Sequence, residues 1–120
     1  MRTTFVHEAR VALDEGGDDR APGGAVTLEL CGSWDHPGPC PVAPHHTAVR
    51  SDGDDVVVRV LFACERADED EVRARVIEGL RRHELVGPDG VRTRWSVVDH
   101  HADSVRPEEE TQSAALVLAP

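Results

Sequence analysis

The chain has 120 residues and sets 13 basic side chains, all arginine, against 23 acidic ones, a formal net charge of −10. That length is one domain's worth. No apolar run nears the ~20 residues of a membrane helix, and the charge balance disfavours binding led by attraction to phosphate. Nucleic acid and membrane therefore drop out of the expected partners, leaving a protein or a small molecule.

The acid is unevenly placed. It gathers in Asp14–Arg20, Asp52–Asp55, Glu65–Glu71 and Asp99–Glu110, and outside these stretches the balance is positive. Such segments read as solvated punctuation that keeps a small protein soluble. Met1 to Glu8 holds no apolar core of a secretory signal, so a reducing cytoplasm is the expected compartment.

In chain order, Phe5, His7, Ala9, Val11 and Leu13 alternate with polar and apolar neighbours and predict a first strand over Thr3–Leu13. His7 lies on its apolar face and reads as a satisfied core histidine. Asp14 to Gly24, with two Gly-Gly pairs and Pro22, reads as a loop. Val26, Leu28 and Leu30 alternate with Thr27, Glu29 and Cys31, which predicts a second strand over Ala25–Ser33. Trp34 to His46 carries Pro37, Pro39, Pro41 and Pro44, which excludes a helix or central strand and leaves a stiff loop.

Thr47–Arg50 predicts a short strand and Ser51-Asp52-Gly53-Asp54 a turn. Asp55–Cys64 is the strongest strand, with Val56, Val58, Val60, Phe62 and Cys64 on one face and a mixed face of Val57, Arg59, Leu61 and Ala63 opposite. Cys64 reads as a buried structural cysteine.

Ala67–Glu84 predicts the one helix. Asp68 and Glu71 form a capping-box pattern, Val72, Val76, Ile77 and Leu80 an apolar stripe, and Arg81, Arg82 and His83 suit its C-terminal end. Gly79 reads there as a weak point of about 1 kcal/mol. Val91–Asp99 predicts a further strand, 103–112 a loose polar segment, and Ala114–Leu118 a short terminal strand or a frayed end. The expected fold is a single α+β domain of strand-strand-strand-helix-strand order. Its sheet is mostly antiparallel, with one amphipathic helix packed on one face and one parallel crossover through that helix. An unpaired sheet edge makes a homodimer an expected assembly.

The chemistry-bearing residues gather in one place. Cys31-Gly-Ser-Trp-Asp-His36-Pro-Gly-Pro-Cys40-Pro-Val-Ala-Pro-His45-His46 is a C-x4-H-x3-C-x4-H-H segment. Zinc takes about four sulfur or nitrogen ligands in a tetrahedron. Cys31, His36, Cys40 and one of His45 or His46 supply that set, with Asp35 placed to orient a ligating imidazole. Two other readings fit the same residues: a Cys31–Cys40 disulfide, and an untuned surface cluster. The spacing matches no zinc-finger pattern.

Asp99-His100-His101 is similar to the triplet of the DHH phosphoesterases, and Asp52-Gly53-Asp54 resembles that family's aspartate-rich motif. The resemblance covers under ten residues and implies Asp52, Asp54, Asp99 and His100 as metal ligands. It departs from the family in that the acidic segment here precedes a strand. His100 or His101 could also approach the Cys/His loop.

Three functions follow. The first is a small zinc-binding domain without catalysis. The second is a metal-free interaction or small-molecule module using the Trp34 loop. The third is a small metal-dependent hydrolase with an open metal position and Asp35 as base.

Overall fold

A computed structural model describes residues 1–32 and 42–119. The elements are β1 (Arg2–Leu13), α1 (Ala21–Cys31), β2 (His45–Asp52), β3 (Asp55–Glu65), α2 (Glu69–Leu80), β4 (Glu84–Val86), β5 (Arg92–Asp103) and α3 (Glu110–Leu118). The five strands form a sheet of order β2-β3-β1-β5-β4, and every neighbouring pair is antiparallel. β1 and β2 run parallel with β3 between them, and β3 and β5 run parallel with β1 between them. This is a split βαβ arrangement. The α+β class and the antiparallel sheet hold, but the single helix and the strand order do not. Three α-helices are present among the described residues, and the strand after β1 is β2, not Ala25–Ser33.

The second predicted strand is helix α1. Its buried residues include Pro22, Val26 and Leu30, a four-residue spacing, together with Ala21, Ala25 and Cys31. Val26, Leu28 and Leu30 satisfy both periods over so short a stretch, and the glycines argue against a helix by propensity. Packing overrides propensity here. A Cβ added at Gly79 of α2 would stand 2.8 Å from the Val26 Cα and 2.9 Å from the Ala25 carbonyl oxygen. Gly79 is therefore not a weak point but the site where α1 and α2 approach backbone to backbone.

α2 falls inside the predicted helix and buries Val72, Val76, Gly79 and Leu80. Asp68 occupies the N-cap position without a side-chain capping bond. α1 and α2 lie on one face of the sheet over Val11, Val58, Val60, Phe62 and Trp95. The Trp95 indole donates to the Leu80 carbonyl at 2.8 Å. α3 lies on the other face, where Leu116 meets Val6, Leu61 and Ala63. The C-terminal stretch is thus a helix rather than a strand, and the segment leading to it is ordered by a 3-10 turn over Pro107–Glu109.

A bulge sets which side chains of β5 face which way. Arg10 pairs with Asp99 while Val11 pairs with Val97, so Val98 is the extra residue and is 54% exposed. Trp95 and Val97 face the core. Past the bulge, the alternation is reset: His100 takes the core face opposite Ala9, and Asp99 and His101 take the α3 face opposite Arg10 and Glu8.

Candidate functional site

Cys31 is the last residue of α1, which Gly32 ends in the left-handed conformation at φ 76°. One helical turn earlier stands Thr27. The returning chain is pinned where Val42 N–H donates to the Leu30 carbonyl and Ala63 N–H to the Pro44 carbonyl. These bonds start β2 beside the end of α1. His45 Nδ1 lies 3.6 Å from Cys31 Sγ and 3.3 Å from the Ala43 carbonyl oxygen, and its Nε2 lies 2.9 Å from the Thr27 hydroxyl. Both ring nitrogens are thus engaged by named groups, which fixes the ring plane.

His46 pairs with Leu61 and is exposed on the opposite sheet face, the one that carries α3. Of the two neighbouring histidines, only His45 faces Cys31. The Cys31 sulfur is engaged in a disulfide, whose other half is outside the described residues. His36, Cys40, Trp34 and Asp35 also lie outside the described residues. Cys64 is a free, buried cysteine, and burial pushes its thiol up from the ordinary range.

The residues of the DHH resemblance are not brought together. Asp99 and His100 project from opposite faces of the sheet. Asp52 is held by Arg10, and Asp54 is exposed in the β2–β3 turn. Neither His100 nor His101 is bonded to the Cys/His end among the described residues. His100 Nδ1 lies 3.0 Å from His7 Nε2, and His7 Nδ1 lies 3.0 Å from an Arg73 guanidinium nitrogen. The guanidinium only donates, so His7 accepts at Nδ1 and donates from Nε2 to His100. Burial first, then the charge of Arg73, lower the His7 pKa from 6.5 to about 4. His7 is the satisfied core histidine that its position on β1 predicted.

A second polar cluster lies under α3 and was not legible as a site from the motifs. Arg59, 7% exposed at its side chain, donates to Glu109 at 2.7 and 2.9 Å, to Asp103 at 2.6 Å and to Glu8 at 3.3 Å. It also donates to the Ser104 carbonyl at 2.9 Å. Hydrogen bonds from Arg59 hold the Glu109 and Asp103 carboxyls below their usual range. The sequence signal was Glu8 and Arg59 at mid-strand positions otherwise occupied by apolar residues. Charges there must find partners.

A cavity of about 340 Å³ lies between the start of α1 and the β4–β5 turn. Of its three charged lining residues, Asp18 and Arg20 are paired with each other and Asp89 accepts from the Val91 N–H. No described helix is long and apolar enough to cross a membrane. The chain matches no protein-family model, no curated protein and no solved structure.

Proposed function

We propose that this domain binds a zinc ion at the junction of α1 and β2, with Cys31 and His45 as two anchoring ligands and His36 and Cys40 completing the set. The observation that carries the reading is the 3.6 Å separation of Cys31 Sγ and His45 Nδ1. Tetrahedral bonds of ~2.3 Å to sulfur and ~2.0 Å to nitrogen place those two atoms roughly 3.5 Å apart. The Thr27 hydroxyl is placed to accept from Nε2–H once Nδ1 carries the metal, the supporting contact that ligating histidines require. A sulfur held in a disulfide cannot serve as a thiolate ligand, so the metal belongs to the reduced chain. Disulfide and metal are then alternative states of Cys31. The reading is of a binding domain, and no catalytic step is assigned.

The test is metal content of untagged protein purified under reducing conditions, before and after Cys40→Ser and His45→Ala. Close to one zinc per chain in the parent, lost in both variants, supports it. A stoichiometry near zero in the reduced parent overturns it. It also leaves the metal-free module as the better reading, in which a chelator does not move the melting temperature.

A further inference from the structure

The two edges of the sheet differ. β4 closes one with three residues, Glu84–Val86. β2 forms the other with eight, His45–Asp52, in unbroken register against β3 and with no proline inside it. Edge strands are ordinarily kept short, bulged or interrupted by proline, because a row of open backbone groups invites another strand. β4 follows that rule and β2 does not.

The open groups of β2 follow from the alternation of its hydrogen bonds. The Ala63 N–H donates to the Pro44 carbonyl at 3.0 Å, so Pro44 and Ala63 form a hydrogen-bonded pair. Every second pair after it is of the same kind, ending at Asp52 and Asp55, the pair that a two-residue hairpin closes. Thr47, Val49 and Ser51 fall between these pairs and turn their N–H and C=O away from β3. Among the described residues, those outward groups have no hydrogen-bond partner.

We propose that the β2 edge pairs with the β2 edge of a second copy of this chain, antiparallel about a two-fold axis at Val49, so that one sheet runs through both copies. In this register Val49 meets Val49 of the copy, and Thr47 meets Ser51, each through the open backbone groups. Charge selects the register. His46 comes opposite Asp52 of the copy. Arg50 comes opposite Ala48 of the copy and keeps Asp52 of its own strand at 3.8 Å. Moving the axis by one residue sets Arg50 opposite Arg50, or opposite the basic His46, and like charges directly opposed across strands destabilise the pairing.

The helices leave room for the copy. α1 stands over the first half of β2: a Cβ added at Gly23 would lie 3.2 Å from the Thr47 hydroxyl oxygen, and Thr27 reaches His45. α3 also sits by the start of the strand, where Leu116 packs with Leu61, the β3 partner of His46. An axis at Val49 therefore sets each helix beside the second half of the other copy's strand, and the helices pass without colliding. Val49 packs against the core but is only partly buried, and a cavity of about 300 Å³ lies beside it between α1 and β2. Val49 of the copy arrives on that same face and covers it.

The experiment is sedimentation velocity of the full chain over a concentration series at ~0.15 M salt, where repulsion between two chains of charge −10 is screened beyond about 8 Å. The expected species has twice the mass of the 13.1 kDa chain and runs as single chains on a non-reducing gel. Ser51→Pro, at an exposed residue, removes an outward N–H and no bond to β3, and is expected to weaken the dimer at least about tenfold. The register has its own test. His46→Asp sets acid opposite Asp52 of the copy and should weaken the dimer about five- to tenfold, whereas His46→Arg should tighten it. Neither variant touches Cys31 or His45, so this proposal and the zinc site fail separately. A monomer up to about 1 mM overturns the proposal and leaves the edge to an extended segment of a different protein. A disulfide-linked dimer, a dimer indifferent to Ser51→Pro, or equal responses to His46→Asp and His46→Arg also overturns it. Thermal unfolding of Ser51→Pro close to the parent's excludes a folding defect as the cause, and with a large drop the two His46 variants decide alone.

Discussion

On the face that carries α1 and α2, the sheet is closed by apolar side chains: Val58, Val60, Phe62, Val76 and Leu80 are each at most 2% exposed. On the α3 face the buried apolar cluster among the described residues is Val6, Leu61, Ala63 and Leu116, and beside it the closure is a guanidinium held by three carboxylates. The first face gains from area removed from water, which tolerates small shifts. The second depends on Arg59 reaching Glu8, Asp103 and Glu109 at once, and fails as a unit. The same sheet therefore joins a face closed by apolar area to one closed by a charged network.

The sharpest way to break the comparison is Arg59→Met. Three carboxylates then lose their shared partner, and the buried Glu8 keeps only the more distant His101 and Arg106. The expected loss is about 3–5 kcal/mol of unfolding free energy by urea titration, with early exposure of α3 in hydrogen exchange. A loss below about 1 kcal/mol would show that the carboxylates reach water unaided. Truncations on the two faces come next. Leu80→Ala is expected to cost about 3–5 kcal/mol, and Leu116→Ala about 2 kcal/mol, because α3 can settle into the space more freely than α2. Equal costs would mean that α3 is as deeply integrated as the core. Gly79→Ala should cost about 1–3 kcal/mol, although alanine is the better helix former, since its Cβ would meet α1 backbone. A stabilised variant would show that the two helices can move apart freely.

How far the sequence revealed this depends on the kind of signal. β1, β3 and α2 were legible because each is long enough for its period to be unambiguous. α1 was not, since eleven residues with Gly23 and Gly24 show no helical preference, and Val26, Leu28 and Leu30 imitate a strand. What makes α1 a helix is its packing on Gly79, a tertiary fact. For the candidate site, the closeness of Cys31 to the histidine pair was legible from spacing. The choice of His45 over His46 was not, because it depends on the register of β2 against β3. The cluster at Glu8 was hidden for a similar reason: it joins β1 to β5 across 93 positions of chain, and the Val98 bulge sends His101 to a face that the plain alternation of β5 does not predict.

The two faces also separate by pH, and this is the smallest expected effect. His7 stays neutral in the fold until about pH 4, whereas the unfolded imidazole takes its proton near 6.5. Between those values the unfolded chain binds more protons. His7's contribution is therefore fully present above about pH 6.5 and is lost as pH falls toward 4. The groups facing it are Arg73 from α2 and His100 from β5, and the charge of His101 acts on it from the other side of the sheet. On the α3 face the order is different. Glu109 and Asp103, held by Arg59 below their ordinary 4.5 and 3.8, contribute stability above those values and lose it only as pH falls further. A series of urea midpoints from pH 8 to 3 should therefore show two stages of decline. His7→Gln, which keeps a hydrogen-bond donor and acceptor, should flatten the upper stage and leave the lower one in place. Arg59→Met should do the reverse. If His7→Gln leaves the slope between pH 6.5 and 4 unchanged, the imidazole is not held neutral by burial and Arg73, and the decline belongs to the exposed histidines.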